Sequence, residues 1–460
     1  MLDYMDYVQQ CFDAAGRWKR QNSYGEVTQT PRNLIDFKIP DAVNLQVSNR
    51  STKYSYNSLQ LSTRQSINGS LTYLYTNLDA VEGLVKNTEE LPLHDIVQTY
   101  ELPAVTHHRK EKTNFHKCSL YYGKIFYPSS DVEAMMIKRF SPMNQVIVKC
   151  LSSLKENVNI FTAYFQRNSE KNFQELIVSS NDLLCGYRIS HHFLRTPSKL
   201  NSSLYNNSSL FFGAEFWLGM ISLNPGCSTS LKYCTHSANT GRPLTLTLSW
   251  NPLFGHISTT YSAMTSSSST FCAKYDFNIY SIESNLSFGI ELWRKTGALF
   301  KSEDSVEANR KEYEQNFYIS HDHNLLPSKY GYDHEYNISD GKLSKEHKRN
   351  KIIKDLNHAF STSLQKIDKE KTRIENFGNI IRNSHFTSVF KASTSLRERN
   401  LKFLWEGEYK NFLLSAGTEL RVLKAEESEL RRTSGQSSNS LLNEFSLQPL
   451  KFGVQIQFSS

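Results

Sequence analysis

Apolar and polar residues alternate with a period of two along most of this chain. Between Leu244 and Trp250, three leucines and a tryptophan alternate with threonine and serine. Successive side chains of a strand point to opposite faces, so this pattern predicts a strand with one apolar and one polar face. Further alternating segments begin at Val43, Leu59, Leu71, Val146, Phe161, Leu210, Phe271, Leu286, Phe386, Asn411 and Phe452.

The length of these segments indicates what kind of sheet they form. Roughly twenty candidate strands run for about eight to ten residues, whereas strands of soluble proteins average roughly five or six. One face of each long strand carries almost no charge and is often aromatic toward its ends. The other face is rich in Ser, Thr and Asn, which suits a water-filled lumen. The pattern predicts an all-β transmembrane β-barrel. A large soluble β-sandwich or propeller stays open, since alternation also describes half-buried sheets.

The first twenty residues follow a different period. Leu2, Met5, Val8, Phe12 and Ala15 recur at spacings of three and four, which predicts a short amphipathic helix within residues 1–20. Acidic residues interrupt the segment, so it is neither a secretory signal peptide nor a presequence.

Four polar stretches do not fit the strand pattern. They are predicted to be insertions outside the membrane, as solvated loops or partner contacts, in a single barrel spanning residues 34–458. The four are Asn77 to Lys117, Thr296 to Asn350, Lys366 to Ile381 and Lys424 to Leu447.

Composition narrows the class further. Fifty-three Lys and Arg face 45 Asp and Glu, for a net charge of +8, and aromatic residues make up 12% of the 460 residues. The charge is too mild for a nucleic-acid-binding protein, and the aromatic content excludes a wholly disordered chain. Mean hydropathy is −0.51, and the longest apolar stretch, Phe211 to Ile221, is broken by Glu215.

Cysteines and histidines suggest no redox or metal chemistry. The seven cysteines are odd in number and scattered without a C-x-x-C pair, which argues against a disulfide framework or a zinc site. They are Cys11, Cys118, Cys150, Cys185, Cys227, Cys234 and Cys272. The best metal-ligand candidates lack a fixed spacing and lie in a charged stretch, so a solvated loop is favoured; they are His321, Asp322, His323, Asp333, His334 and Glu335. His191 and His192 are interpreted as interfacial side chains near a strand end.

Enzyme motifs are absent from the sequence. It contains no glycine-rich phosphate loop, no G-x-S-x-G and no H-E-x-x-H. We therefore expect a protein that is not an enzyme and that has no cofactor.

The final strand carries a short motif. Lys451, Gly453, Ile456 and Phe458 occupy the positions of a polar residue, a glycine and two hydrophobes, and the pattern looks like the β-signal of mitochondrial outer-membrane barrels. An unpaired last strand can add to the open edge of an insertion machine before the barrel closes.

Longer stretches resemble one family, the mitochondrial distribution and morphology protein 10 family of fungi. They are Tyr127 to Asp131, Glu133 to Arg139, Asp182 to Arg188, Ser203 to Leu210, Gly241 to Ser258 and Cys272 to Gly289. The resemblance implies a 19-stranded barrel of the mitochondrial porin type in the outer membrane, with the N-terminal helix in or near the lumen. It weakens in the insertions at 77–117, 296–350 and 424–447.

The resemblance also implies partners. The family is expected in the endoplasmic reticulum to mitochondria encounter structure, beside lipid-transfer subunits and an ER-anchored morphology-maintenance subunit, where it serves phospholipid exchange and mitochondrial shape and inheritance. It is also expected in the sorting and assembly machinery, where it promotes late assembly of the outer-membrane translocase.

Two partner complexes require two surfaces, and paired aromatics on strands are candidates. Tyr73 and Tyr75 lie on an early strand, and Tyr275 and Phe277 have the same spacing on a later one. Aromatics are enriched in interface cores, although aromatic belts against lipid use the same residue types. The alternative function is a metabolite or ion pore of the same fold, which needs fewer residues than 460.

Overall fold

The structure, a computed structural model, describes most of the chain. It covers residues 1–63, 66–81, 83–102, 117–153, 155, 158–169, 171–194, 208–237, 240–295, 374, 376–381, 384–424 and 445–460.

Within the described residues, three α-helices and nineteen strands are numbered here in chain order. The helices are α1 Tyr4–Ala15, α2 Gln29–Leu34 and α3 Leu93–Ile96, with 3₁₀ turns at Arg20–Asn22, Tyr24–Glu26, Asp79–Val81 and Asn181–Leu183. The strands are β1 Ala42–Thr52, β2 Ser55–Thr63, β3 Ile67–Thr76, β4 Cys118–Tyr127, β5 Val132–Arg139, β6 Asn144–Ser153, β7 Val158–Asn168, β8 Asn172–Ser179, β9 Leu184–Leu194, β10 Ser209–Gly219, β11 Pro225–His236, β12 Pro243–Asn251, β13 His256–Ser266, β14 Ser269–Asn278, β15 Glu283–Lys295, β16 Phe386–Ser395, β17 Asn400–Tyr409, β18 Phe412–Lys424 and β19 Phe445–Ser459.

The strands form one closed sheet. Each strand pairs antiparallel with the next, and β1 closes the barrel by pairing parallel with β19, from Ala42 opposite Gly453 to Ser48 opposite Ser459. The predicted all-β barrel with a short N-terminal helix is confirmed, and the roughly twenty candidate strands are nineteen. Closure leaves no sheet edge with unpaired backbone groups, as a membrane-spanning sheet requires.

The two faces of the strands follow the predicted alternation. On β3, Leu71, Tyr73 and Tyr75 are exposed on the outside, while Thr72 and Leu74 between them are buried in the lumen. Other strands repeat this outward apolar set, for example at Leu246, Leu248 and Trp250 of β12. The outer apolar band is the surface that faces the hydrocarbon core of a bilayer.

The barrel has two rims, named here by what they carry. The C-terminal rim holds the end of β19 at Ser459, the β1–β2 turn and the start of the 77–117 connection. The opposite rim holds the start of β1 at Ala42 and the turns at 128–131, 220–224, 252–255 and 279–282.

The described parts of two predicted external insertions lie in the lumen instead. Within 77–117, the described part contributes buried Leu91, Leu93, Ile96 and Val97 to the apolar cluster around α1. The prediction that this stretch is solvated is therefore wrong for its described part, because its few apolar residues gather on one buried side. In the described part of 366–381, Phe377 and Ile381 lie in a helical turn at 376–381 and pack against α2, so the predicted external position is wrong for this part.

Among the described residues, no helix combines the length and the apolar character needed to cross a bilayer.

Candidate functional site

The lumen near the C-terminal rim is filled by α1. Met5, Val8 and Phe12 lie on one face of this helix and are almost fully buried. They belong to the same apolar cluster as inward-facing residues of the wall: Tyr56, Leu74, Cys118, Leu120, Ile137, Trp293, Phe386, Val389 and Leu413. A water-filled, polar lumen was predicted, but many inward positions at this rim are apolar because a helix covers them.

Residues 78–102 form the second part of this filling. The Tyr7 hydroxyl donates to the Leu84 carbonyl at 3.1 Å, and the Leu2 amide donates to the Ile96 carbonyl at 3.0 Å. Across the lumen, the hydroxyls of Tyr100 and Thr245 on β12 share a hydrogen bond of 2.6 Å. This segment therefore spans the space between α1 and the far wall. Residues 1–41 and 78–102 are together called the lumen plug below.

A buried arginine of the wall anchors the end of α1. Arg139 of β5 has no exposed surface, and its guanidinium donates to the Asp13 carboxylate at 3.1 Å and to the Gln145 side chain at 2.8 Å. The same guanidinium lies 5.2 Å from the ring centroids of both Phe12 and Trp18. Hydrogen bonds and two aromatic faces thus offset part of the cost of burying this charge, although the guanidinium Nη1 has no hydrogen-bond partner among the described residues.

The carboxyl of Asp13 is electrostatically perturbed. Burial raises the pKa of Asp13 to about 6, and the nearby Arg20 and Arg139 charges offset only part of that rise. Above this pH the carboxylate is ionised and pairs with Arg139, but the raised pKa means that burial costs the ionised form more than the nearby charges return.

Polar contacts attach the rest of the N-terminal segment to strand after strand. The Asn22 amide donates to the Asn168 side chain on β7 at 2.9 Å, and the Ser190 hydroxyl on β9 donates to the Asn22 carbonyl at 2.6 Å. The hydroxyls of Tyr24 and Ser228 on β11 share a hydrogen bond of 2.6 Å. These bonds attach the segment to three strands between β7 and β11.

Charges buried in the lumen are paired. The Lys391 ammonium on β16 lies 3.5 Å from the Glu291 carboxylate on β15. Glu406 on β17 pairs with the Met1 ammonium. Removing one partner of such a pair would leave a buried uncompensated charge.

A polar cavity of about 460 Å³ remains beside the plug, toward the opposite rim. Its lining includes Tyr24, Arg32, Arg188, Glu215 and His256. Arg188 is held by carboxylates, at 3.0 Å from Glu215 and 3.3 Å from Glu175. Within the part of the chain that the structure describes, no three His, Cys, Asp or Glu side chains are grouped to hold a metal ion.

Comparison with known proteins identifies the family. A family model described as Mitochondrial distribution and morphology protein 10 matches residues 1–460. Proteins of that name from Saccharomyces cerevisiae (strain ATCC 204508 / S288c), Zygosaccharomyces rouxii and Kluyveromyces lactis are 48%, 47% and 44% identical to the chain, and each match covers 100% of both proteins. The chain belongs to the mitochondrial distribution and morphology protein 10 family. The resemblance seen in the sequence is confirmed, and membership assigns a role in mitochondrial distribution and morphology. The family is named for that role and for no enzymatic reaction.

The first aromatic pair of this family member lies on the outside of β3. Tyr73 and Tyr75 are 51% and 39% exposed. Tyr75 lies beside Tyr121 of β4, with ring centroids 6.4 Å apart, and Tyr73 pairs in register with Gly123, which has no side chain to cover it. These aromatic side chains form one outward surface near the C-terminal rim.

The second pair lies on β14, far from the first. Tyr275 is 45% exposed, and Phe277 is partly covered beside Ile257 and Ser284. Between β3 and β14 there are eleven strand steps in one direction and eight in the other, so the pairs face nearly opposite sides. Phe277 lies next to the last residue of β14, at the opposite rim.

The β-signal residues lie at the closing seam. Gly453 pairs with Ala42, Ile456 with Leu45 and Phe458 with Val47 of β1. Lys451 is exposed. Gly453 also lies directly under the linker from the plug to β1, because a Cβ atom there would be 2.5 Å from the Pro40 carbonyl carbon.

Two groups of sequence candidates remain, and the structure describes only the histidine pair. The proposed metal ligands between His321 and Glu335 lie outside the described residues. His191 and His192 pack against Phe193 and Phe211, with ring centroids at 4.6 and 4.8 Å. The sequence reasoning missed Arg139 and the 78–102 part of the plug. For the latter, the closely spaced Leu91, Leu93, Ile96 and Val97 in a polar stretch were the available signal.

Proposed function

We propose that this chain is a non-enzymatic anchor in the mitochondrial outer membrane that joins two assemblies. One is the ER–mitochondria tethering complex with its lipid-transfer subunits and its ER-anchored morphology-maintenance subunit, where the chain serves phospholipid exchange and mitochondrial shape and inheritance. The other is the sorting and assembly machinery, where the chain promotes late assembly of the outer-membrane translocase.

The observation that carries this proposal is the separation of the two outward aromatic pairs. Tyr73 and Tyr75 lie near the C-terminal rim, whereas Tyr275 and Phe277 lie on the far side of the barrel, near the opposite rim. Aromatic side chains supply large contact area in interface cores. A partner docked at one pair leaves the other pair accessible, as a subunit shared by two complexes requires.

The filled lumen favours an anchor over a metabolite or ion pore. Porins of similar strand number leave an aqueous channel. Here α1, α2 and residues 78–102 occupy the lumen and are tied to many strands. An open conducting pathway would require displacing a buried apolar cluster and several hydrogen bonds.

Affinity purification tests the proposal. Tagged protein is recovered from digitonin-solubilised mitochondria, and the proteins that follow it are identified by mass spectrometry. We expect both the tether subunits and the sorting machinery. A barrel recovered without either would contradict the proposal.

Paired substitutions then separate the two faces. Tyr73→Ala with Tyr75→Ala is expected to release one complex and retain the other, and Tyr275→Ala with Phe277→Ala to do the reverse. The control, Phe161→Ala with Phe165→Ala, removes outward aromatics of β7 that are about half exposed and is expected to retain both. If each double variant loses both complexes, or loses neither, the proposal of two separate docking faces is wrong.

A further inference from the structure

Three neighbouring turns at the opposite rim are unusually apolar. The β10–β11 turn is residues 220–224, the β12–β13 turn is 252–255 and the β14–β15 turn is 279–282; none of them contains a charged residue. Their apolar side chains are between 46% and 80% exposed: Met220, Ile221, Leu223, Leu253, Phe254, Ile279, Tyr280 and Ile282. This set is called the apolar rim below.

The lack of charge distinguishes these three turns from the described turns on either side of them. The flanking turns at the same rim carry charge, with Asp182 in the β8–β9 turn and Arg397, Glu398 and Arg399 in the β16–β17 turn. The β4–β5 turn, on another side of the same rim, is Pro-Ser-Ser-Asp at 128–131. Turns that face water are ordinarily polar, so the apolar rim faces a different environment from its neighbours.

The backbone conformation at two positions of these turns disfavours aliphatic residues. Leu223 and Ile282 have φ of 54° and 55°, in the left-handed region that favours Gly or Asn. A β-branched side chain is particularly disfavoured there. Local geometry therefore opposes isoleucine at 282, and an interaction of the side chain is the better explanation for its presence.

Hydrogen bonds join these turns to one another and to a flanking turn. The Tyr280 hydroxyl donates to the Pro252 carbonyl at 2.9 Å, which ties the β14–β15 turn to the β12–β13 turn. The Asp182 carboxylate accepts the Ser222 amide at 3.0 Å, which braces the β10–β11 turn. The turns that carry the exposed surface are thus connected by hydrogen bonds.

The apolar rim is continuous with the lipid-facing band. Directly below it, Phe216 and Leu218 of β10 and Trp250 of β12 all face outward. Trp and Tyr are the residue types enriched where a membrane protein meets the headgroup layer. Continuity with this band, together with the lack of charge, favours lipid over a polar protein surface as the occupant.

We propose that the apolar rim inserts into the bilayer, so that the barrel's apolar band is taller in the β10–β15 sector than elsewhere. Two turn residues beyond the strand ends, at roughly 3.3 Å per residue and a strand tilt of roughly 40°, add about 5 Å of apolar height. A bilayer accommodates such a mismatch by local thickening or by tilt of the barrel. The inference does not depend on which complexes the chain joins.

Site-specific photocrosslinking in mitochondria tests this proposal. The photoreactive residue benzoylphenylalanine replaces Ile221, Phe254 or Ile282, and control positions are Ser130 and Glu398 in charged turns at the same rim. Mass spectrometry of the illuminated protein is expected to find phospholipid adducts at the three apolar positions and not at the controls. Protein adducts at the apolar positions, lipid adducts of equal yield at the controls, or no adduct at all would each overturn the proposal.

A second variant separates lipid contact from folding. Leu223→Asn with Ile282→Asn places a residue that tolerates the left-handed region at both positions, so the turns should fold at least as well. We expect the lipid adduct at position 254 to fall several-fold while barrel yield is unchanged. An unchanged adduct in the folded variant would count against insertion of the rim.

Discussion

Replacing Gly453 by alanine should destabilise the finished barrel at its seam. The linker from the plug reaches β1 over this residue, with Ala42 in the left-handed region at φ 61°. A Cβ atom at position 453 would lie 2.5 Å from the Pro40 carbonyl carbon and 2.7 Å from the Ala42 carbonyl oxygen. Neither atom is the end of a flexible side chain, so the linker backbone itself must move.

The size of the effect follows from the required movement. Overpacking that shifts backbone costs about 1–3 kcal/mol, and about 2 kcal/mol lowers the ratio of folded to unfolded protein by roughly 30-fold. The matched control is Gly123→Ala on β4, where a Cβ atom would meet nothing within 4 Å. That variant should match the wild type or gain up to about 0.5 kcal/mol, since glycine weakens a strand.

The protein is refolded into detergent micelles and unfolded with urea, and tryptophan fluorescence reports the unfolding. No insertion machinery is present, so a role of Gly453 solely as part of the β-signal predicts no defect, whereas the close approach to Pro40 predicts a lower unfolding midpoint. Equal midpoints for Gly453→Ala, Gly123→Ala and the wild type would refute the steric reasoning.

Two further predictions concern the docking of α1. Burial raises the folded-state pKa of Asp13 to about 6. The protonated carboxyl therefore stabilises the folded protein below about pH 4, and this contribution is lost as pH rises toward 6. Asp13→Asn should flatten this part of the pH profile of urea midpoints, and an unchanged profile would contradict the raised pKa of Asp13. Gly16→Ala would place a Cβ atom 2.8 Å from the Arg139 guanidinium carbon, which is buried between two rings, so trypsin should release the N-terminal segment faster than in the wild type. The control is Gly25→Ala, where the nearest atom would be 3.9 Å from the added Cβ atom. Equal cleavage of the two variants would count against anchoring of α1 by Arg139.

The outer surface was predictable from the sequence because it depends on local alternation. Leu71, Tyr73 and Tyr75 face outward as their period of two predicts. The inner surface was not, because what an inward residue touches is decided elsewhere in the chain. Leu74 faces inward, and an apolar residue suits that position because α1 lies over it. No pattern within β3 reveals that helix.

Long-range pairs escaped prediction for the same reason. Arg139 and Asp13 are 126 residues apart, and each looks like an ordinary charged residue in its own segment. The outward aromatic pairs were found from their spacing, but spacing alone could not show that they lie near different rims. That result required the strand directions and the register of the closed sheet.

The barrel is proposed to be a closed scaffold and not a pore. The most direct test is the conductance of the purified full-length protein in planar lipid bilayers, with a mitochondrial porin inserted under the same conditions as the positive control. We predict that insertion yields no sustained porin-sized conductance, since the plug is held by apolar packing and by hydrogen bonds to many strands. Steady porin-sized conductance from single insertions would contradict the closed lumen and would favour the pore.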